Sequence, residues 1–145
     1  MPRQPRSNLE DGIYHVTGRG TGGVDLFLVE LDRIEFLGLL RISALRFGWG
    51  CHAYCLMGTH YHLILEASQE ALSGGMQRLN GIYAQRFNYR HRRRGRLFES
   101  RFAAYVLKDE HHFEAALRYV IDNPVRAGLC AEPKDWPWSG LRPPS

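Results

Sequence analysis

The sequence predicts an α+β fold in which helices cover one face of an antiparallel sheet of four to five strands. The first observation is the order of the segments, since strand-like and helix-like stretches follow one another as β, α, β, β, α, β, α. One helix falls between the first two strands and another between the third and fourth, which is the split βαβ, or ferredoxin-like, pattern. The second observation is size, because 145 residues, 44% of them hydrophobic, suffice for one domain with its own core.

Runs of β-branched and aromatic residues mark four strands, which we expect over 13–18, 49–56, 61–66 and 97–107. The first strand leads into a glycine-rich stretch, Gly18 to Gly23, that matches the spacing G-x-G-x-x-G. A dinucleotide site would require a helix directly behind these glycines. Residues 24–29 are extended in character instead, so a glycine-rich turn is the favoured interpretation.

Three segments have the apolar periodicity of helices, namely 31–47, 69–91 and 109–123. The first ends at Gly48 and places its apolar side chains on one side, among them Ile34, Leu37, Leu40 and Leu45. The second is weakened by three glycines, which cost roughly 1 kcal/mol each in a helix interior; they are Gly74, Gly75 and Gly81. The third begins at Asp109 as its N-cap and ends before Pro124.

The composition argues against a membrane-spanning or exported protein. No apolar run approaches the roughly 20 residues of a membrane span, and the polar, proline-bearing segment 1–11 is unlike a signal peptide. We expect that segment to be a flexible tail, followed by a single domain over 12–145. The three cysteines cannot all pair, which favours free thiols and a cytoplasmic location.

The basic residues are almost all arginines, and several of them are clustered. Seventeen of the 19 are arginines, although the net charge is only +4. Five of them crowd into seven residues: Arg90, Arg92, Arg93, Arg94 and Arg96. Arginine grips phosphate in a bidentate manner, so this segment favours nucleic acid. A solvated charged loop, in a genome that prefers arginine codons, is the alternative.

Aromatic residues are interleaved with these arginines, from Tyr83 and Phe87 through Tyr89 to Phe98 and Phe102. Such a pattern allows arginines to hold phosphates while aromatic faces stack on unpaired bases. Tyr83 and Phe87, four residues apart on a helix, are expected to pack inward instead.

His60 and His62 are the first candidate for chemistry. Strand side chains alternate between faces, so both imidazoles point to the same side and can share a divalent metal. Two ordinary histidines at the start of a strand are the alternative.

Tyr119 and Asn123 are the second candidate. Tyr119 lies off the apolar stripe of the last helix, and Asn123 follows one turn later on the same side. This arrangement would place a nucleophile beside a ligand oxygen. A surface tyrosine and an ordinary asparagine at a helix end are the alternative.

Six segments, in order, carry a resemblance to a known family. They are Tyr14-His15-Val16-Thr17-Gly18-Arg19-Gly20, Leu56-Met57-Gly58-Thr59-His60-Tyr61-His62-Leu63, Tyr83-Ala84-Gln85-Arg86-Phe87-Asn88, Gly95-Arg96-Leu97-Phe98-Glu99-Ser100-Arg101-Phe102, Arg118-Tyr119-Val120-Ile121-Asp122-Asn123-Pro124-Val125-Arg126-Ala127-Gly128-Leu129 and Trp136-Pro137-Trp138-Ser139. Across roughly 13–139, the chain resembles the single-tyrosine HUH transposases, most closely the REP-associated tyrosine transposases of bacteria.

The resemblance implies a role for each candidate. His60 and His62 would be the histidines of the HUH motif and, with Asn123, would bind Mg²⁺ or Mn²⁺. Tyr119, on a C-terminal catalytic helix, would cleave and rejoin single-stranded DNA through a 5′-phosphotyrosine intermediate. The implied substrate carries a hairpin or palindromic element, and the protein would be a nucleoid-associated monomer or homodimer. Arg19 and Arg101 are further candidate DNA contacts beside the arginine run.

The chain departs from the family pattern at four positions: Thr59, Tyr61, Glu99 and Gly140. None of them removes a ligand or the nucleophile. Tyr61 adds a second phenol between the two histidines, and strand alternation is expected to turn it to the opposite face.

Two other functions remain open at this stage. A relative without catalytic activity would bind DNA or RNA hairpins through the arginine segment alone. A hydrolytic metal-dependent nuclease would cut without a covalent intermediate.

Overall fold

A computed structural model describes residues 11–141, so most of the expected N-terminal tail lies outside the described residues. Five strands form one antiparallel sheet. The strands are β1 (Gly12–Arg19), β2 (Gly50–Leu56), β3 (His60–Ala67), β4 (Ala103–Val106) and β5 (Ser139–Gly140). The helices are α1 (Glu30–Phe47), α2 (Gln69–Arg90), α3 (Glu110–Ile121) and α4 (Asn123–Arg126).

The strand order β4-β1-β3-β2-β5 confirms the ferredoxin-like arrangement, with the short strand β5 added at the β2 edge. The first two helices pack on one face of the sheet around a large apolar core. The C-terminal helix α3 packs on the opposite face, where Ala116 and Val120 meet Ala53, Cys55 and Ile64. Each face of the central strands is therefore covered by a different part of the chain.

Alternation along β3 sends neighbouring side chains to different faces. Tyr61 is fully buried on the α1–α2 side, where its hydroxyl donates to the side-chain oxygen of Asn80 at 2.9 Å. Burial raises the pKa of this phenol above its usual value. His60 and His62 point to the α3 side, together with the buried Ile64. The structure thus confirms that Tyr61 turns away from the two histidines.

Several local predictions are confirmed. Residues Thr21–Gly23 form a 3-10 turn, as the glycine-rich stretch indicated. Asp109 caps α3 by accepting a hydrogen bond from the backbone N–H of His112 at 2.7 Å. Tyr83 and Phe87 are buried in the core on the inner side of α2.

The predicted strand over 97–107 is wrong in its first half, because only Ala103–Val106 form a strand. Leu97 and Phe98 are both buried, which a strand with one covered face does not allow for neighbours. Residues 97–102 instead follow the end of β1 through three backbone contacts: Thr21 N–H to Leu97 carbonyl, Glu99 N–H to Arg19 carbonyl, and a bridge between Gly20 and Phe98.

The predicted apolar side of α1 is also partly wrong. Leu37 and Leu40 lie in the core, but Ile34 and Leu45 are exposed. The buried positions are Asp32, Phe36, Leu37, Leu39, Leu40 and Ser43. Apolar residues surround most of this helix, so periodicity alone did not distinguish its inner face.

The end of the last helix differs slightly from the prediction. The helix α3 stops at Ile121, and Asn123 begins the separate short helix α4. Pro124 lies in the first turn of α4, where a missing N–H has no cost. Proline therefore starts a further helical turn and does not lead the chain directly into a loop.

Within residues 11–141, no helix combines the length and the apolar character needed to cross a membrane.

Candidate functional site

The two histidines of β3 lie side by side on the face that α3 covers. Their ring centroids are 5.0 Å apart, with the rings nearly perpendicular. His62 is buried and His60 is half-buried. The sheet therefore holds one imidazole deep and one near the surface, at the end of β3 where the chain enters from the turn at Gly58.

Tyr119 lies directly over the deeper histidine. Ala116 and Val120 fix α3 to the sheet, and this leaves the Tyr119 side chain half exposed, with its ring centroid 5.8 Å from that of His62. The sequence expectation that Tyr119 lies off the core stripe is confirmed by this packing. The phenol of Tyr119 and the imidazole of His62 thus face the same space.

His15 is a third histidine at this site, and the sequence analysis did not single it out. It projects from β1, and its Nε2 lies 3.0 Å from Nδ1 of His62. Its ring centroid is 5.9 Å from that of Tyr119. The contact occupies Nδ1 of His62, which leaves Nε2 as the nitrogen available to a ligand. The β1–β3 register, which sets Thr17 opposite His62, was the missing information.

All three imidazoles favour the neutral form. Burial is the largest of the causes that lower the pKa of His62 to about 3, and the neighbouring His15, His60, Arg19 and Arg126 act in the same direction. Burial and Arg19 lower the pKa of His60, and burial lowers that of His15. Neutral imidazoles keep a lone pair for a metal ion at neutral pH.

Arg126 covers the nucleophile candidate from the other side. Its guanidinium carbon is 4.1 Å from the centroid of the Tyr119 ring, and its Nη2 donates to the Tyr119 carbonyl at 2.7 Å. The sequence analysis missed this contact because Pro124 lies between the two residues. A seven-residue spacing matches two helical turns, and the restart of the chain as α4 preserves it.

Asn123 is buried, and its side-chain Nδ2 has no hydrogen-bond partner in the part of the chain that the structure describes. Amide oxygen and nitrogen positions can be exchanged by a simple flip. The flipped amide would place an unpartnered acceptor oxygen at this position, which is the chemistry of a Mg²⁺ or Mn²⁺ ligand.

No group of three His, Cys, Asp or Glu side chains in residues 11–141 is arranged to hold a metal ion. A cation would therefore rely on His60, His62 and an amide oxygen, with the remaining positions left to water or substrate. The two neutral imidazoles and the amide are donors of a suitable kind for Mn²⁺ or Mg²⁺.

An open cleft of about 1060 Å³ runs beside Tyr119. His15, His62 and Tyr119 line its inner part, and Arg19 and Arg101 line its rim. His60 and Asn123 are not among the side chains that line this cleft. The structure thus brings two of the predicted residues, His62 and Tyr119, into one open space with His15 and two exposed arginines.

The arginine segment divides into two groups. Arg90 donates to the buried carboxylate of Asp32 at 2.5 Å and to Glu35 at 2.9 Å, and Arg93 bonds Asn88 and two backbone carbonyls. Three arginines of the segment are exposed: Arg92, Arg94 and Arg96. Two of the five guanidinium groups are therefore engaged within the protein: Arg90 joins α2 to α1, and Arg93 holds the turn.

A second groove, of about 650 Å³, separates α2 from residues 95–102. Its walls combine amide side chains, two aromatic rings and arginines: Gln77, Asn80, Gln85, Asn88, Phe98, Phe102, Arg96 and Arg101. Ser100 and Arg101 line both this groove and the cleft beside Tyr119. The two spaces therefore meet along residues 100–101.

Comparisons with known proteins place this geometry in context. The family model for IS200-like transposases matches residues 14–123, whereas no curated protein matches the sequence. A REP-associated tyrosine transposase, solved bound to a REP hairpin, superposes with a TM-score of 0.75 at 15% identity, covering 96% of this chain and 82% of the other. A proposed transposase from Deinococcus radiodurans R1 gives a TM-score of 0.55 at 19% identity, covering 84% and 97%. At these identities, both structures show a shared fold.

Proposed function

The chain belongs to the IS200-like transposase family, and on that premise we propose that it cleaves and rejoins single-stranded DNA at hairpin-associated sites, with Tyr119 as the nucleophile. The observation that carries the proposal is the position of Tyr119, exposed in an open cleft with its ring 5.8 Å from that of His62. Tyr61, which lies between the two histidines in the sequence, is fully buried on the opposite face.

In the proposed step, the phenol oxygen of Tyr119 attacks a phosphodiester phosphorus and displaces the 3′-oxygen of the preceding nucleotide. The bond formed is a 5′-phosphotyrosyl ester, and the bond broken is the P–O3′ bond. The phenol loses its proton and the departing 3′-oxygen gains one. One ester replaces another, so the reverse attack by a 3′-hydroxyl rejoins DNA without ATP.

The residues around Tyr119 support this chemistry. His60, His62 and Asn123 would hold Mg²⁺ or Mn²⁺, which when bound withdraws charge from a phosphate and orients it. Arg126 sets a positive charge 4.1 Å from the phenol ring, where it would attract a DNA phosphate to the cleft. The contact between His15 and His62 holds the deeper imidazole in one orientation.

Exposed arginines and aromatic rings indicate how DNA would lie on the surface. Arg19 and Arg101 flank the cleft, and Arg96 lies in the second groove that joins it at residues 100–101. Amides and the ring of Phe102 in that groove can contact unpaired bases. The likeness to a transposase solved with a REP hairpin supports a hairpin beside this single strand.

A protein that binds hairpins without cutting is the second candidate. The observation that favours it is that His60 and Asn123 do not line the cleft, so the described arrangement does not bring all the expected ligands together beside Tyr119. Such a protein would keep the exposed arginines and lose any dependence on Tyr119.

The experiment is a denaturing-gel assay for a covalent protein–DNA adduct. Wild-type protein is incubated with Mn²⁺ and a pool of labelled hairpin oligonucleotides with single-stranded flanks. We expect an adduct that disappears with Tyr119→Phe, with His62→Ala and with a chelator. Tyr105→Phe is the matched control, because Tyr105 is also an exposed phenol lining the same cleft.

Each alternative has its own outcome. Hairpin binding without cleavage or adduct would support the non-catalytic protein. Cleavage without adduct would support hydrolysis. An adduct that persists in Tyr119→Phe and vanishes in Tyr105→Phe would show that the nucleophile is misassigned.

A further inference from the structure

Tyr61 connects the strand that carries the histidines to the second groove. It stands between His60 and His62, at one of the positions where the chain departs from the family pattern, and its side chain is fully buried on the opposite face of the sheet. Its hydroxyl donates to Oδ1 of Asn80 at 2.9 Å, and Asn80 lines the second groove. A buried group of β3 therefore touches a side chain that an occupant of the groove can reach.

The ring of Tyr61 is packed on three sides. A Cβ built at Gly18 would collide with it, so the ring lies directly on the β1 backbone at this glycine. Its centroid is 4.8 Å from that of Phe36 and 6.2 Å from that of Phe98. Burial keeps the pKa of the phenol above its usual value, so the hydroxyl retains its proton. Tyr61 thus presents a hydrogen-bond donor to Asn80 from a fixed position.

This donor determines which way round the amide of Asn80 lies. Within residues 11–141, the bond to Asn80 is the only hydrogen bond that the Tyr61 hydroxyl makes. If the amide were turned by 180°, its NH₂ group would face the hydroxyl, and the buried O–H would have no acceptor. A buried donor without a partner costs about 1–3 kcal/mol. Tyr61 therefore holds Oδ1 of Asn80 toward the core.

The Nδ2 group of Asn80 remains available to an occupant of the groove. It makes no hydrogen bond in the part of the chain that the structure describes, and it is not among the buried polar atoms that lack a partner. Asn88, on the same wall, differs, because its Nδ2 donates to the Gly95 carbonyl at 2.8 Å and its Oδ1 accepts from Arg93. Asn88 thus holds the turn, whereas Asn80 offers an oriented N–H donor.

The surroundings of Asn80 leave room for a nucleobase. Gly81 and Ala84 follow it along α2 and line the groove with little side chain, and a Cβ built at Gly81 would meet no atom within 4 Å. The half-buried ring of Phe102 lines the groove from the facing segment, with the exposed Arg101 beside it. A base stacked on Phe102 would turn its edge to Nδ2 and its phosphate to Arg101.

We propose that Tyr61, acting through Asn80, makes the second groove select a base with a carbonyl oxygen at its edge, guanine or thymine, over adenine and cytosine. The inference rests on the proposed function, since it assumes that DNA occupies the groove. An N–H donor pairs with O6 of guanine or O4 of thymine, whereas adenine and cytosine carry an amino group at the corresponding position. Asn80 would touch the base, and Tyr61 is a positioning residue that prevents the amide from turning.

Base selection in binding tests the proposal without cleavage. Hairpin oligonucleotides with short randomised single-stranded flanks are bound to Tyr119→Phe protein in the presence of a chelator, and the bound fraction is sequenced. We expect guanine or thymine to be enriched at one flank position by about 2- to 10-fold over adenine and cytosine, which is the contribution of one hydrogen bond. All further substitutions are made in this background.

Three variants separate the roles of the two residues. Tyr61→Phe frees the amide to turn, so the preference at that position should disappear while the other positions keep theirs. Asn80→Asp offers only acceptors to the groove and should reverse the preference toward adenine or cytosine. Tyr54→Phe is the matched control and should change nothing, because Tyr54 is another buried phenol in the same core that does not line the groove.

Urea denaturation checks that each variant is folded, and Asn80→Asp keeps the test decisive if Tyr61→Phe is not. A preference that is unchanged in both Tyr61→Phe and Asn80→Asp would overturn the proposal, as would binding with no preference among the four bases. An equal loss of preference in Tyr54→Phe would assign the effect to a loosened core and overturn it as well. These results leave the proposed function standing, whereas a failure to bind any hairpin would overturn both.

Discussion

The imidazole of His62 has little freedom left once the sheet has formed. It is buried, its Nδ1 lies 3.0 Å from Nε2 of His15, and its ring lies between those of His60 and Tyr119. A ligand histidine whose second nitrogen is engaged keeps one tautomer and one orientation. His15 is therefore expected to set the affinity of the site for a cation.

Replacing His15 with alanine should weaken Mn²⁺ binding by about 10- to 100-fold, as is usual when the partner of a ligand histidine is lost. The check is the Mn²⁺ concentration that gives half-maximal adduct formation, together with Mn²⁺ binding by calorimetry in the absence of DNA. Saturating Mn²⁺ should restore most of the adduct.

His111→Ala is the control, since His111 is exposed on α3. An unchanged Mn²⁺ dependence in His15→Ala would show that this histidine does not position the site. A loss of adduct that no Mn²⁺ concentration restores would point to a direct role in the reaction.

Residue-scale prediction from the sequence succeeded where local geometry sufficed. Strand alternation was enough to put His60 and His62 on one face and Tyr61 on the other. His15 and Arg126 were not predicted as site residues, because their positions depend on the β1–β3 register and on the restart of the helix after Asp122. Neither feature can be derived from the sequence around a single residue.

At the scale of elements, α2 shows why a glycine that weakens a helix is nevertheless required. A Cβ at Gly75 would lie 2.1 Å from the ring of Trp49, which is buried and donates its indole N–H to the Ala71 carbonyl. The helix therefore passes the tryptophan with no room for a side chain. Gly81 has no such neighbour, and its position is open.

Gly75→Ala should lower the free energy of unfolding by about 1–3 kcal/mol, the usual cost of an overpacked core. Gly81→Ala, on the same helix, should leave it unchanged or raise it by up to about 1 kcal/mol through helix propensity. Urea denaturation of the two variants measures the contrast. Equal effects of the two substitutions would mean that Trp49 does not pack against Gly75.

The junction of α1 and α2 depends on one buried carboxylate. Asp32 accepts hydrogen bonds from the backbone N–H groups of Leu28 and Val29, and it pairs with Arg90 and His91. Burial by itself raises the pKa of Asp32, but these hydrogen bonds outweigh it, and the pKa in the folded state is lowered. The ionised carboxylate therefore stabilises the fold.

Because the pKa of Asp32 is lower in the folded protein, this stabilisation is complete above the unfolded value of about 3.8 and is lost as the pH falls through the folded value. Asp32→Ala should cost about 3 kcal/mol at neutral pH, since it leaves its partners unpaired. The unfolding free energy of this variant should also depend less on pH in that acid range.

The control for Asp32 is Glu132→Ala, which removes an exposed pair with Lys134 and should cost about 1 kcal/mol or less. Urea titrations at several pH values measure both variants. A stability of Asp32→Ala equal to that of the wild type would show that the carboxylate does not hold the two helices.

The buried face of a helix could be predicted from the sequence only where its apolar residues lie on one side of the helix. The single apolar stripe of α3 indicated its buried face correctly, with Ala116 and Val120 inward and Tyr119 outward. In α1, apolar side chains lie on two faces, so the face that meets α2 was decided by tertiary packing. The predicted strand over 97–107 was too long, because its apolar residues Leu97 and Phe98 are both buried and do not alternate between two faces as strand residues do.

At the scale of the whole molecule, the two faces of the sheet have different roles. One face holds the large core with α1 and α2, and the other carries the histidines under α3. Exposed arginines connect them around the β4 edge, from Arg96 through Arg101 to the cleft beside Tyr119. DNA recognition and cleavage would therefore use one continuous surface that passes around the sheet edge.

This surface predicts the salt dependence of DNA binding. Each arginine that neutralises a phosphate of single-stranded DNA contributes about 0.7 to the slope of log affinity against log salt. Replacing Arg92, Arg94 and Arg96 together with alanine should therefore reduce the slope by about 2 if all three contact the strand.

Arg90→Ala should leave the slope unchanged and lower the stability instead, because Arg90 is paired with Asp32 and Glu35. Fluorescence anisotropy with a labelled hairpin over a range of salt concentrations measures the slope, and Lys134→Ala controls for the loss of an exposed charge elsewhere. A slope that falls equally in all of these variants would mean that net charge, and not the exposed arginines of residues 90–96, determines binding.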